Sequence, residues 1–141
     1  MATKFEVNKQ TKASLSQAMD YYMHPENLPK VHPSFVKEVK IMSAEGDTIN
    51  LEQHMHIMGR NLRAVNKLVR NSGEHKFEIN TLEGDGKGSK IMIELKETPS
   101  GTDLHYWAEM ELGALGFFAK GPARSNFEKV AEEDAKALDA L

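Results

Sequence analysis

The side chains best suited to chemistry in this chain are its histidines and a small set of uncharged polar residues. His54 and His56 stand two apart, so on a strand both rings point the same way, roughly 6–7 Å apart. A zinc site wants three or four ligands, and Glu52, His24 and His32 are the candidates to complete one. The simpler expectation is two solvated histidines on an outer sheet face, and no metal is assigned. His24 and His32 lie in a proline-rich stretch, where they either contact a ligand head group at a cavity rim or serve local turns. Gly84-x-Gly86-x-Gly88 has the look of a phosphate loop, but a dinucleotide fingerprint needs a helix after it. A strand pattern comes next instead, so a hairpin turn is expected. Ser125 lacks a nucleophile-elbow context and reads as a helix cap, paired with Glu128. The chain has no cysteine, which excludes a disulfide framework, a thiolate metal site and a cysteine nucleophile.

These groups act only where the surrounding elements place them. Phe5 and Val7 alternate with polar neighbours and predict a first strand. Leu15, Ala18, Met19 and Tyr22 then form a helical stripe, opened by the capping-box pair Ser14 and Gln17. Pro25, Pro29 and Pro33 limit the next segment to one or two helical turns. From Phe35 to Leu112 the period is two. Six strands are separated by turns at Glu45–Asp47, Gly59, Asn71–Gly73, Gly84–Gly88 and Pro99–Gly101. Phe127, Val130, Ala131, Ala135, Leu138 and Leu141 then make one long helical stripe. Phe117 and Phe118 either begin that helix ahead of a Gly121-Pro122 kink or form a lid loop before it. An interior proline costs about 3 kcal/mol, which favours the break. Gly113, Gly116 and Gly121 would let such a segment gate a cavity.

The predicted fold class is α+β: a seven-stranded antiparallel curved sheet wrapped around the C-terminal helix, with two short helices between strands 1 and 2. The strand frames sort the polar residues. Gln53, Asn66, Thr81 and Tyr106 fall on the apolar face. Glu52, His54, His56, Arg63, Lys67, Glu78, Glu94, His105, Glu109 and Glu111 fall on the other, with the single Trp107. A pocket with neutral hydrogen-bonding groups and one phenol suits ligand binding more than acid–base catalysis. Met19, Met23, Met42, Met55, Met58, Met92 and Met110 recur along the core elements, adaptable enough to pack a variable apolar ligand.

The chain has 141 residues, which fits one domain over 1–141. Its 18 basic and 21 acidic residues leave a net charge of −3, with no global attraction to nucleic acid or anionic lipid. No secretory h-region and no membrane-length apolar run is present, and a cytoplasmic location is expected.

One segment, Ala18 to Pro33, carries a resemblance. His24-Pro25-Glu26-Asn27-Leu28-Pro29 and then His32-Pro33 resemble the Asp-Pro-Glu-Asn-Leu/Trp-Pro-x-Trp-x-Pro run of the START-like helix-grip (SRPBCC) superfamily, which includes polyketide cyclases/dehydrases and lipid-transfer domains. His24 stands where Asp is frequent, and Val31 where an aromatic is frequent. The resemblance implies a deep cavity between sheet and C-terminal helix. The expected function is therefore binding or transport of a small hydrophobic ligand: a lipid, an isoprenoid or quinone, or a polyketide-like molecule. Gln53, Asn66, Thr81, Tyr106, Met55, Met110, Phe117, Phe118, His24 and His32 are the expected contacts. No cofactor and no catalytic residue is assigned. The alternatives are a cyclase/dehydrase using Tyr106 as acid or oxyanion donor with His24 or His32 as base, and a protein-interaction module using the outer sheet face.

Overall fold

A computed structural model describes residues 2–57, 59–111 and 116–141, with residues 116–120 described by their backbone alone. The period-two segments form β1 (Thr3–Thr11), β2 (Val36–Glu45), β3 (Thr48–Ile57), β4 (Arg60–Asn71), β5 (Lys76–Gly84), β6 (Lys90–Thr98) and β7 (Gly101–Met110). They make one seven-stranded antiparallel sheet in the order β1-β7-β6-β5-β4-β3-β2. Hairpins join β2 through β7, while α1 (Leu15–Tyr21), a 3-10 turn (Pro25–Asn27) and α2 (Leu28–Val31) carry the chain from β1 to β2. The α1 start has the expected capping box: Gln17 N–H donates to Ser14 Oγ, and Ser14 N–H to Gln17 Oε1.

The curved sheet grips α3 (Gly116–Asp139), which packs along β1. Phe127, Ala131, Ala135 and Leu138 are the buried stripe of α3, set against Phe5, Phe77, Leu104 and Tyr106 from the strands. The Phe127 ring lies 6.0 Å from Phe5 and 6.1 Å from Tyr106. Burying such side chains contributes about 1.5–3 kcal/mol each. Among the described residues no helix is long and apolar enough to cross a membrane.

Two expectations about α3 are corrected. The helix runs unbroken from Gly116 with Pro122 inside it, so Phe117 and Phe118 belong to its first turns rather than to a loop ahead of it. Pro122 still removes one helical N–H. However, the clash that normally expels the residue before proline from helical geometry involves its Cβ, and Gly121 has none. Consequently Ser125 sits in the helix interior and caps nothing. Met42 is also displaced from the expected core: it lies 55% exposed on the edge strand β2. Met58 lies outside the described residues.

The glycine-rich β5–β6 turn shows why a hairpin replaces a phosphate loop. Gly84, Gly86 and Gly88 all have positive φ. At Gly84 a Cβ would fall 2.3 Å from the Arg63 carbonyl oxygen. That close approach lets Asp85 lock onto Arg63 of β4, its N–H donating to Arg63 O at 2.8 Å and its carboxylate accepting from Arg63 N–H at 2.9 Å. At the adjoining irregularity between Val65 and Asn66, Leu82 has no partner on β4 and lies exposed, while Thr81 pairs with Asn66. Gly84→Ala is expected to destabilise the fold by about 1–3 kcal/mol through backbone strain, read by urea denaturation; an unchanged midpoint would refute the tight β4–β5 approach.

Candidate functional site

Between the concave face of the sheet and α3 lies a cavity of about 440 Å³. Its walls are largely aliphatic, with Leu51 and Leu68 from the middle strands, Ile79, Ile91 and Ile93 from β5 and β6, and Val130 from α3. The exposed lining residues His24, Asn27, Arg60 and Asp85 mark its open end, at the 3-10 turn and two hairpins. The volume falls in the usual range for small-molecule sites, about 300–1,000 Å³.

Gln53, Asn66, Thr81, Tyr106, Met55, Met110, His24 and His32 all line this cavity. On the sheet wall, neighbouring strands bring three of them into a ladder. Thr81 Oγ donates to Asn66 Oδ1 at 2.8 Å, and Asn66 Nδ2 to Gln53 Oε1 at 3.2 Å. Each lies on the apolar face by simple alternation, and each satisfies the next. Gln53 ends the ladder as an acceptor and itself lines the cavity. Phe117 and Phe118 are placed only as part of the α3 backbone; their side chains lie outside the described residues.

A second polar group closes the α3 side. Asp134, only 5% exposed, accepts from Tyr21 Oη at 2.6 Å and His32 Nε2 at 3.0 Å on one carboxylate oxygen, and from Tyr106 Oη at 2.8 Å on the other. His32, 1% exposed, turns its Nδ1 to Glu133 Oε1 at 3.0 Å. Tyr22 Oη is hydrogen-bonded to Tyr106 Oη. Because the Tyr106 proton is committed to a carboxylate that can only accept, the Tyr22 hydroxyl is the donor of that pair.

These contacts fix the protonation states. Burial opposes charge on His32, but the hydrogen bonds and charges of Asp134 and then Glu133 outweigh it and raise its pKa above 6.5. With a carboxylate at each ring nitrogen, His32 is an imidazolium donating from both sides. Burial, reinforced by the Asp134 charge, drives the Tyr21 and Tyr22 phenols upward. Tyr106 is raised by burial, then by Tyr22 and Asp134. All three phenols stay protonated across the physiological range. His32 is therefore no free base, and the hydroxyl proton of Tyr106 points at Asp134 rather than into the chamber. His24, exposed at the open end, donates to Glu26 at 2.8 Å and pairs with Asp20 at 3.4 Å; the Glu26 hydrogen bond chiefly raises its pKa.

The outer face carries the charged frame. His54 bonds Glu52 at 2.9 Å and His56 bonds Asn61 at 2.9 Å, so the two rings are engaged separately. Arg63 also holds Glu52, and His105 holds Glu6. No group of three or more His, Asp or Glu side chains placed to hold a metal ion occurs among the described residues. Glu111 departs from its expected frame: it follows the last residue of β7, where alternation ends, and borders the cavity.

Asp134, Tyr21, Tyr22 and Glu133 were not among the expected site residues. Asp134 had a signal: it lies four residues after Val130 and three after Ala131, a carboxylate inside the apolar stripe of α3.

The family model described as polyketide cyclase/dehydrase and lipid transport matches residues 2–141. Among solved structures, TTHA0849 from Thermus thermophilus has a TM-score of 0.87 at 14% identity, covering 98% of this chain and 98% of that one. A START superfamily protein from Mycobacterium smegmatis has a TM-score of 0.83 at 17% identity, again with 98% of each chain covered. The Zhui aromatase/cyclase from Streptomyces sp. R1128 has 0.81 at 11%, with 99% and 93% covered. No curated protein sequence matches the chain. At these identities the structural likeness is one of fold.

Proposed function

Because the chain belongs to the polyketide cyclase/dehydrase and lipid transport family, we propose that it binds and carries a small, mostly apolar molecule in the chamber between the sheet and α3. The observation that carries this reading is the chamber itself: about 440 Å³, walled by aliphatic side chains, with polar groups that mainly satisfy one another. Apolar burial drives binding at about 25 cal/mol per Å² before association costs. Gln53, Asn66 and Thr81 orient the polar end of the ligand, while Met55 and Met110 adapt to its shape. His24 lies at the entry.

Engagement of His32 by two carboxylates, and of the Tyr106 proton by Asp134, favours carrying over a cyclase in which these two residues act as base and acid. The test uses N-phenyl-1-naphthylamine, a neutral apolar fluorophore. Saturable enhancement approaching one probe per chain is expected, and a bound apolar molecule recovered unaltered from the protein is the companion result. Enhancement that never saturates would overturn the reading.

A further inference from the structure

The direction of the hydrogen bonds at the α3 wall carries a consequence for the ligand. The Asp134 carboxylate can only accept, so Tyr106 donates to it, and Tyr22 donates to Tyr106. The Tyr22 proton is thereby committed to Tyr106. Its oxygen keeps a lone pair that no described protein group fills, and Tyr22 lines the cavity. The amide ladder across the chamber offers both donors and acceptors and so discriminates little. Tyr22 offers acceptance only.

We infer that the Tyr22 oxygen is a specificity element selecting neutral ligands that bear an O–H donor, an alcohol or phenol, over the matching ethers and carboxylates. This rests on the cavity-binding reading above. An ether leaves the lone pair unmatched. A carboxylate brings acceptor against acceptor, beside a cluster in which Asp134 and Glu133 face a single imidazolium. The other charged groups bordering the chamber, Arg60, Asp85, Glu111 and His24, lie toward its open end. An ammonium could satisfy the same lone pair, but it would carry a full charge into an apolar chamber.

The experiment is competition against N-phenyl-1-naphthylamine at pH 7 by 1-naphthol, 1-methoxynaphthalene and 1-naphthoate. These share one ring system and differ in being a donor, a capped donor and an anion. For the unmodified protein 1-naphthol is expected to bind about tenfold tighter than the methyl ether, with 1-naphthoate the weakest. Tyr22→Phe brings the first two to near parity while leaving the methyl ether within about twofold of its original affinity. The change also leaves the Tyr106 oxygen without its donor, so Tyr22→Phe/Tyr106→Phe is measured beside it to remove that second acceptor. Parity of naphthol and its ether in the unmodified protein, or 1-naphthoate as the tightest ligand, would overturn the inference while leaving cavity binding intact. Persistence of the naphthol preference in both variants overturns the assignment to Tyr22. Failure of the fluorophore itself to bind removes the cavity reading and this one together.

Discussion

Replacing Asp134 by alanine is expected to lower the free energy of unfolding by about 3–5 kcal/mol, because it leaves a buried imidazolium facing one carboxylate instead of two. The same change strips the acceptor from two phenols, Tyr21 and Tyr106. Each buried donor left unsatisfied costs on the order of 1–3 kcal/mol, partly overlapping the first figure. Asp134→Asn keeps the shape and an acceptor, so it is expected to fall between the two. Equilibrium denaturation in urea at pH 6 reads the effect, and a loss below about 1 kcal/mol would mean that the cluster is solvated rather than structural.

The pH dependence of the same measurement carries a sign. His32 has a folded pKa raised above its unfolded value of 6.5. Its contribution is therefore complete below pH 6.5 and is lost as pH rises through the higher folded value. His24 shifts the same way but is exposed and contributes little. The difference between unmodified protein and His32→Gln should thus shrink from pH 6 toward alkaline pH. The three raised phenols add a second loss, beginning above pH 10, where the unfolded tyrosines ionise first. A stability difference that grows with pH would contradict the imidazolium assignment.

The strand frames were readable because a half-buried antiparallel sheet enforces a period of two, and a misplaced register would turn every side chain over. That rule alone put Gln53, Asn66, Thr81 and Tyr106 on the inner face, where the structure has them. The partners of Tyr106 were harder to read. His32 and Asp134 meet across 102 residues of sequence, and no local spacing announces such a contact. Asp134 still left a trace as the one acid on the apolar stripe of α3, since a charge is rarely buried there without a partner. Gly121-Pro122 was misleading for the opposite reason. A strong local rule, proline against helix, was weakened by the residue before it, and the long amphipathic face of α3 kept the helix whole.

Filling the chamber should separate ligand binding from stability more cleanly than any change to its polar groups. Ile79 stands on β5 between Leu68 of β4 and Ile91 of β6, and it is only half-buried because part of its surface meets the cavity. Ile79→Trp places a large ring where there is space rather than packed protein, so the usual overpacking strain of about 1–3 kcal/mol is largely avoided. Tryptophan is also at ease on a strand. A bicyclic ligand burying about 200 Å² of apolar surface gains about 5 kcal/mol before association costs. Denying it most of that burial should weaken binding of N-phenyl-1-naphthylamine by about a hundredfold or more. The unfolding midpoint should hardly move. If the variant binds the fluorophore within about twofold of the unmodified protein, the probe sits elsewhere, on the outer sheet face or at the exposed edge strand β2. If binding is lost while the fold melts as before, the space between sheet and helix is the site, because the substitution alters nothing else the ligand could use.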